Sequence, residues 1–384
     1  MLWSERIVGL FHEAARLLRY KLWHLEGRER VTQEPLSFCF AGTQRNKNFL
    51  ADLAYEEPPK ETELGHAWLW DVIKRNGKKC TDSPMIFIEL RRPLSHFLPK
   101  PDGFYIPSWL KGKFDGPTTA FQLKTSRSIK SDISKIRKYG LTYEISKKPQ
   151  HFRHYYHDMY LPYIKNVYGE AAAPMGYEQM MKKMNRSELL LIKMKDEYVA
   201  AENHLYEKNR VKIWSLGVKD GNRDYLRYGV IGALYYYRYV HLEEKGFEQY
   251  DAGLTRPFIK DGVMQYKKKW GFTATKAQPG GFWMRLRVPS PGVISFLQSN
   301  PFIFVKKGKL NSAVFLREIK GFDKDQLART NHEYRIPGTS DFYLFLFDYN
   351  GVGPSIQDIQ GGKIHIRSAR SLFRPKNRHS LNKN

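Results

Sequence analysis

The chain has 384 residues, 41% of them hydrophobic and 14% aromatic, which excludes a disordered segment and allows two or three domains. A formal net charge of +25 points to an anionic partner: nucleic acid, a phosphorylated substrate or donor, or an acidic membrane face. No apolar run is long enough to span a membrane, and Glu5, Arg6, His12, Glu13 and Arg16 break up any signal-peptide core. The two cysteines, Cys39 and Cys80, lack metal-site spacing and make no disulfide scaffold. They read as inert thiols in a reducing cytosol, so a cytoplasmic protein is expected.

Residues 1–29 open as an amphipathic helix, with Trp3, Ile7, Leu10, Phe11, Ala14, Leu17, Leu18 and Leu22 on one face beside Arg16, Arg19 and Lys21. Such a helix packs on its own domain or rests on an anionic membrane through residues 1–23, peripheral to its inner face. Residues 30–127 follow as a strand (Pro35–Ala41), a helix (Gln44–Tyr55), a loop (Glu56–Glu63), a helix (His66–Lys74) and an apolar strand (Pro84–Leu90). This alternation suggests an α/β layer, and Pro93–Gly116, rich in Pro, Gly and aromatics, reads as a surface loop.

In residues 128–288 a basic helix at Ser126–Tyr139 leads to a strand at Leu141–Ile145 and an aromatic-studded helix at Pro149–Tyr168. A short helix at Gly176–Met184 precedes three strands, Glu188–Lys195, Tyr198–Glu207 and Arg210–Val218, with Lys208-Asn209 as a hairpin turn. One long helix is expected over Arg223–Glu244, with Gly229 and Gly232 in its first turns. Residues 289–384 form a C-terminal extension with strands at Phe302–Val305, Ala313–Ile319 and Asp341–Phe347, a Gly-rich loop at Gly351–Gly362, and a basic tail expected to be disordered.

The stretch Gly246–Thr273 is the most informative. Phe247–Leu254 reads as a buried strand, and Asp261 caps a helix whose Val263, Met264, Tyr266 and Trp270 share a face. Lys267, Lys268 and Lys269 crowd the last turn, where the dipole favours cations, and Gly271 stops it. The strand Tyr250-Asp251-Ala252-Gly253, the helix containing Tyr266-Lys267, and the closing Trp270-Gly271-Phe272 together resemble the GNAT acyltransferase fold, in its FemAB-like branch. That branch includes peptidoglycan aminoacyl transferases and polysaccharide-associated acetyltransferases. The resemblance covers residues 125–285 and implies an α+β fold: a mixed, mostly antiparallel sheet with helices on both faces, with residues 30–127 open to being a reduced first half of a tandem pair.

It further implies an acyl or aminoacyl transferase acting on an amine or hydroxyl of a sugar-containing cell-envelope or polysaccharide precursor. The donor would be acyl-CoA or aminoacyl-tRNA, the acceptor a nucleotide- or lipid-linked sugar, and no metal is expected. In the GNAT fold the donor pyrophosphate sits at the start of the helix after the fourth strand, here Arg223, Arg227, Gly229 and Gly232, or else the two glycines only let this helix pack closely on the sheet. Arg227-x-Gly229-x-x-Gly232 departs from the usual Arg/Gln-x-x-Gly-x-Gly spacing, which counts against coenzyme A, whereas an aminoacyl-tRNA donor needs no such loop. Asp251 is a candidate base or acceptor-orienting group, or a brace for its loop. Lys267 would hold a phosphate or the developing oxyanion, or serve the helix end, while Lys268 and Lys269 read as solvated. Glu202 and His204 share one strand face and form a second candidate base pair, or a surface pair. Trp214, Tyr206 and Tyr235-Tyr236-Tyr237 would make an aromatic wall for a sugar or nucleotide, or pack in the core. There is no Walker loop, Rossmann fingerprint, zinc-ligand cluster or Gly-x-Ser-x-Gly elbow. A non-catalytic nucleic-acid or anionic-membrane binding protein on the same fold is the alternative.

Overall fold

The computed structural model describes residues 19–73, 80, 83–90, 103–168, 174–318, 324–349, 356–359 and 362–373. The helix expected at the N-terminus lies outside these residues up to position 18, as do Gly351 and the basic tail.

The first sheet contains β1 (Arg19–Arg28), β2 (Pro35–Gly42), β3 (Lys60–Trp68), β4 (Met85–Leu90) and β5 (Phe104–Pro107), with α1 (Gln44–Ala54) and α2 (Leu69–Ile73) between strands. Its order is β3-β1-β2-β4-β13-β5, where β13 (Gly281–Leu286) arrives from almost two hundred residues downstream. All its pairings are antiparallel except β2 with β4.

The second sheet begins with β6 (Leu110–Asp115). There follow α3 (Gly116–Thr125), α4 (Arg127–Lys138), β7 (Leu141–Ser146), α5 (Pro149–His154), a π-helical stretch Tyr155–Tyr160, α6 (Leu161–Tyr168) and α7 (Tyr177–Met181). Then come β8 (Ser187–Met194), β9 (Glu197–Glu207), β10 (Arg210–Val218), α8 (Arg223–Tyr228), α9 (Val230–Glu244), β11 (Gln249–Thr255), α10 (Gly262–Lys269) and β12 (Thr273–Ala277). The order is β12-β6-β11-β10-β9-β8-β7, antiparallel but for the β10–β11 pair.

Strand β8 shows why helices cover both faces. Its run Leu189–Ile192 is apolar at every position, as a strand buried on both sides requires. Leu189 and Leu191 pack with Phe152, Tyr155 and Met159, whereas Leu190 and Ile192 pack with Ile136, Val230 and Leu234. The third sheet, β14-β15-β16-β18-β17, is built from β14 (Phe302–Lys306), β15 (Lys309–Leu316), β16 (Phe342–Leu346), β17 (Ile356–Ile359) and β18 (Gly362–Ser368), with α11 (Pro291–Ser299) and α12 (Lys324–Tyr334) beside them.

The first two sheets repeat one pairing pattern. In the second, β10 runs parallel to β11, which is followed by antiparallel β6 and then β12. In the first, β2 runs parallel to β4, followed by antiparallel β13 and then β5. The third position of each set is filled from the other part of the chain: β6 comes from residues 30–127, and β13 from the end of residues 128–288. The two sheets are interlocked by this strand exchange.

Several sequence expectations are corrected. Pro93–Gly116 holds β5 and β6 rather than only a surface loop. Strand β6 alternates Leu110, Gly112 and Phe114 inward with half-buried Lys111 and Lys113, and a Cβ at Gly112 would overlap the Phe272 ring. The charged run at Glu56–Glu63 begins β3, an edge strand whose side chains are mostly exposed, so it carries little apolar signal. Leu22 lies in β1 rather than in a helix, because alternation of two and of three to four coincide over so short a stretch. His66–Trp68, expected to open a helix, end β3 and precede α2, and the loop at Gly351–Gly362 contains β17. Cys39 and Cys80 are joined in a disulfide with their Cα atoms 5.8 Å apart, so neither is a free thiol; their separation of 41 residues hid the pairing.

Candidate active site

The parallel pair β10–β11 has a single register match, Lys212 opposite Asp251. Strand β11 is irregular there, with a register shift against β6 between Asp251 and Leu254 and a left-handed Gly253 at φ 69°. A strand that slips register leaves backbone groups without ladder partners, and two of the candidate residues supply them. Asp251 Oδ1 accepts from the Gly253 N–H at 2.7 Å. The Lys267 ammonium donates to the carbonyls of Ala252 and Leu254, both at 2.8 Å.

Lys267 reaches this position because Asp261 caps α10, its Oδ1 accepting from Met264 N at 3.0 Å, while Met264 and Trp270 anchor the helix in the core. Val263, expected on that apolar face, is exposed. Only 7% of Lys267 is accessible. Burial, followed by the charge of Arg238, pushes its ammonium down to about 8, against the opposing pull of Asp251, Asp261 and Glu202. Two of its three N–H donors are used on carbonyls, leaving one. The Asp251 side chain is 28% exposed, and its other oxygen lies 3.9 Å from Lys111 Nζ. On β6 and β10, Lys113 and Lys212 stand opposite Asp251 in register, so the surroundings of Asp251 are cationic. Sequence spacing alone did not single out these lysines, because they come from separate strands.

Glu202 and His204 do share a face of β9, but they are fully buried, not a surface pair. The Glu202 carboxylate receives Arg238 Nε at 2.7 Å and Arg238 Nη2 on its second oxygen, and it also pairs with His204 Nε2 at 2.7 Å. Burial would raise the Glu202 carboxyl, yet the Arg238 charge and the His204 hydrogen bond outweigh it and hold it below the usual range. The network continues outward. Glu188 on β8 accepts from His241 Nε2 at 2.6 Å, from Lys245 Nζ at 2.9 and 2.8 Å, and from the Tyr206 hydroxyl. Burial opposes its ionisation, but these donors bring Glu188 down to about 2. Arg238, His241 and Lys245 were missed in the sequence, although charged residues three and four apart in an aromatic-rich helix were the available signal.

The expected donor cradle has another geometry. The helix over Arg223–Glu244 breaks at Gly229, whose φ of 91° caps α8 and starts α9. A Cβ at Gly229 would stand 3.0 Å from Lys135, and one at Gly232 would stand 2.9 Å from Asp132, so both glycines let α9 press against α4. Arg223 and Arg227 are exposed on α8, with Arg227 3.4 Å from Asp224. Lys268 donates to the carbonyls of His332 and Glu333, and Lys269 lies 2.5 Å from Asp132, so neither is simply solvated. The aromatic wall does not form: Trp214 packs with the π-helical side, whereas Tyr206 and Tyr235 belong to the core on the α9 side.

The order of the second sheet, its single parallel pair and the helices between those strands define a GNAT-type fold. No family model and no curated protein matches the chain. Among solved structures, L-PGS from Bacillus licheniformis is similar at 13% identity and a TM-score of 0.36, over 72% of this chain and 85% of that one. FemX is similar at 13% identity and a TM-score of 0.35, over 67% and 82% of the two chains. A tandem GNAT protein from the clavulanic acid biosynthesis pathway is similar at 10% identity and a TM-score of 0.28, over 68% and 82%.

Proposed function

We propose that the protein is an acyl or aminoacyl transferase that modifies an amine or hydroxyl of a sugar-containing envelope or polysaccharide precursor. The observation that carries this reading is the buried Lys267 ammonium held on the Ala252 and Leu254 carbonyls at the irregular turn of β11, beside Asp251. The acceptor nucleophile attacks the acyl carbonyl carbon while Asp251 takes its proton. The remaining Lys267 N–H meets the charge that develops on the carbonyl oxygen. Collapse of the tetrahedral intermediate breaks the bond to the donor and releases a thiol from coenzyme A or a ribose hydroxyl from tRNA, to which the proton is returned. Lys111, Lys113 and Lys212 give the surroundings of Asp251 the sign that a phosphorylated donor or a nucleotide- or lipid-linked sugar would need.

Among the described residues no helix is long and apolar enough to cross a membrane. Action in the cytoplasm, peripheral to the inner membrane face, completes this reading; the Cys39–Cys80 disulfide is the feature that weighs against a reducing compartment.

A thermal-shift screen with acetyl-CoA, longer acyl-CoAs and aminoacyl-tRNA identifies the donor, and transfer is then measured with it. Asp251→Asn keeps an oxygen for the Gly253 N–H but no basic carboxylate, and should slow transfer by about 10²–10⁴-fold with donor binding retained. Salt-dependent binding of tRNA without turnover, or full transfer activity in both Asp251→Asn and Lys267→Met, would sink the proposal.

A further inference from the structure

We propose that Glu188, His204 and His241 form a buried site for a transition-metal dication of the zinc type, for which the Lys245 ammonium competes. The three residues come from β8, β9 and α9, and one ligand atom from each lies within 4.8 Å of the others. Glu188 and His204 are direct cross-strand partners, so their side chains leave the same face of the sheet, and His241 comes down onto that face from the helix above. All three are buried. The sequence shows no metal motif because the ligands are 16 and 37 residues apart in the chain and meet only through sheet pairing and helix packing.

The orientation of His204 is what marks a site rather than a satisfied pair. Its Nε2 is taken by Glu202 at 2.7 Å, and Glu202 is itself clamped by Arg238. A carboxylate on one imidazole nitrogen fixes the tautomer and leaves a lone pair on the other, which is how metal-binding histidines are usually held. The other nitrogen, Nδ1, is buried and has no hydrogen-bond partner. A buried acceptor left unpaired is costly, and a dication would satisfy it.

Two imidazoles and one carboxylate suit zinc, cobalt or nickel far better than magnesium or calcium. With bonds of about 2.0–2.2 Å, ligand atoms on a tetrahedral ion stand roughly 3.4 Å apart. The His241–Glu188 contact at 2.6 Å must therefore open slightly and His204 must close in, both by side-chain rotation. A water molecule or the Tyr206 hydroxyl could complete the coordination. Lys245 now places its cation on both Glu188 oxygens, yet its side chain is 37% exposed and follows the end of α9, so it can withdraw into solvent. An ion bound here would tie β8, β9 and α9 together, and the inference is independent of the transferase reading.

The test uses the full-length protein, stripped with chelator and titrated with Co²⁺, then Zn²⁺. One Co²⁺ per chain with visible d–d bands of low coordination number, displaced by Zn²⁺, is expected, together with a Zn²⁺-dependent rise in melting temperature. His204→Ala and His241→Ala should abolish the bands. Lys245→Met changes a half-exposed residue and should bind about tenfold or more tightly, because the competing charge is gone. Absence of stoichiometric bands in both the parent and the folded Lys245→Met protein, or bands unchanged in His204→Ala, would overturn the proposal.

Discussion

A lysine with only 7% of its surface accessible, held on two backbone carbonyls, links pH to both stability and activity. Folding moves the Lys267 ammonium from its ordinary value of 10.5 down to about 8. Below pH 8 it is protonated in both states, and burial of its charge weighs against the native state. Between pH 8 and 10.5 the unfolded chain carries more protons than the folded one, so this residue makes stability rise with pH through that window. The shift corresponds to about 3 kcal/mol. Denaturant titrations at pH 7 and pH 10 should show parent stability gaining on that of Lys267→Met, while transfer that needs the ammonium falls above pH 8. No difference in pH slope between the two proteins would show that Lys267 is not perturbed. The strand and helix that carry Asp251 and Lys267 were legible in the sequence. Their shared contacts at the bulge around Gly253 were not, because a register shift between paired strands leaves no mark in either strand's own pattern.

At the scale of elements, α9 is joined to the sheet by a buried ion pair and pressed against α4 through a glycine. Arg238→Met should cost about 3–5 kcal/mol, since it leaves the Glu202 carboxylate buried with its main countercharge gone. Arg238→Met with Glu202→Met should recover most of that loss, and chemical denaturation of the single and double variants checks the coupling. At Gly232 an alanine methyl would come to 2.9 Å from the Asp132 side chain, so Gly232→Ala should destabilise by about 1–3 kcal/mol through displacement of α9 from α4. If Gly232→Ala instead left stability unchanged and removed donor binding, the glycine would serve a ligand rather than the helix contact. The sequence marked this helix and its glycines. It read one continuous helix because Val230–Glu244 and Arg223–Tyr228 are both good helical segments, and only the left-handed φ of Gly229 separates them.

Across the whole molecule, the exchange of β6 and β13 makes each half depend on the other. Residues 128–288 expressed alone would lack β6, leaving β11 and β12 without their shared partner, and would carry β13 without β4 or β5. Such a fragment should aggregate or stay unfolded. The same fragment extended to begin before Leu110 should recover part of the second sheet. Circular dichroism and size-exclusion chromatography of both fragments decide this, and a monomeric, cooperatively folding 128–288 fragment would contradict it.

By itself the sequence determined most elements of residues 128–277, from the apolar run of β8 to the Asp261 cap, while the GNAT-type reading came from a family resemblance carried by the residues between Tyr250 and Phe272. Those signals are local: period, cap and turn chemistry act within a few residues. Only the tertiary structure decided that Pro93–Gly116 supplies strands to two sheets, that Cys39 meets Cys80, and that Glu202 and His204 lie buried under Arg238. Each of those facts joins residues far apart in the chain, and their energy comes from burial and pairing that exist only once the sheets have closed.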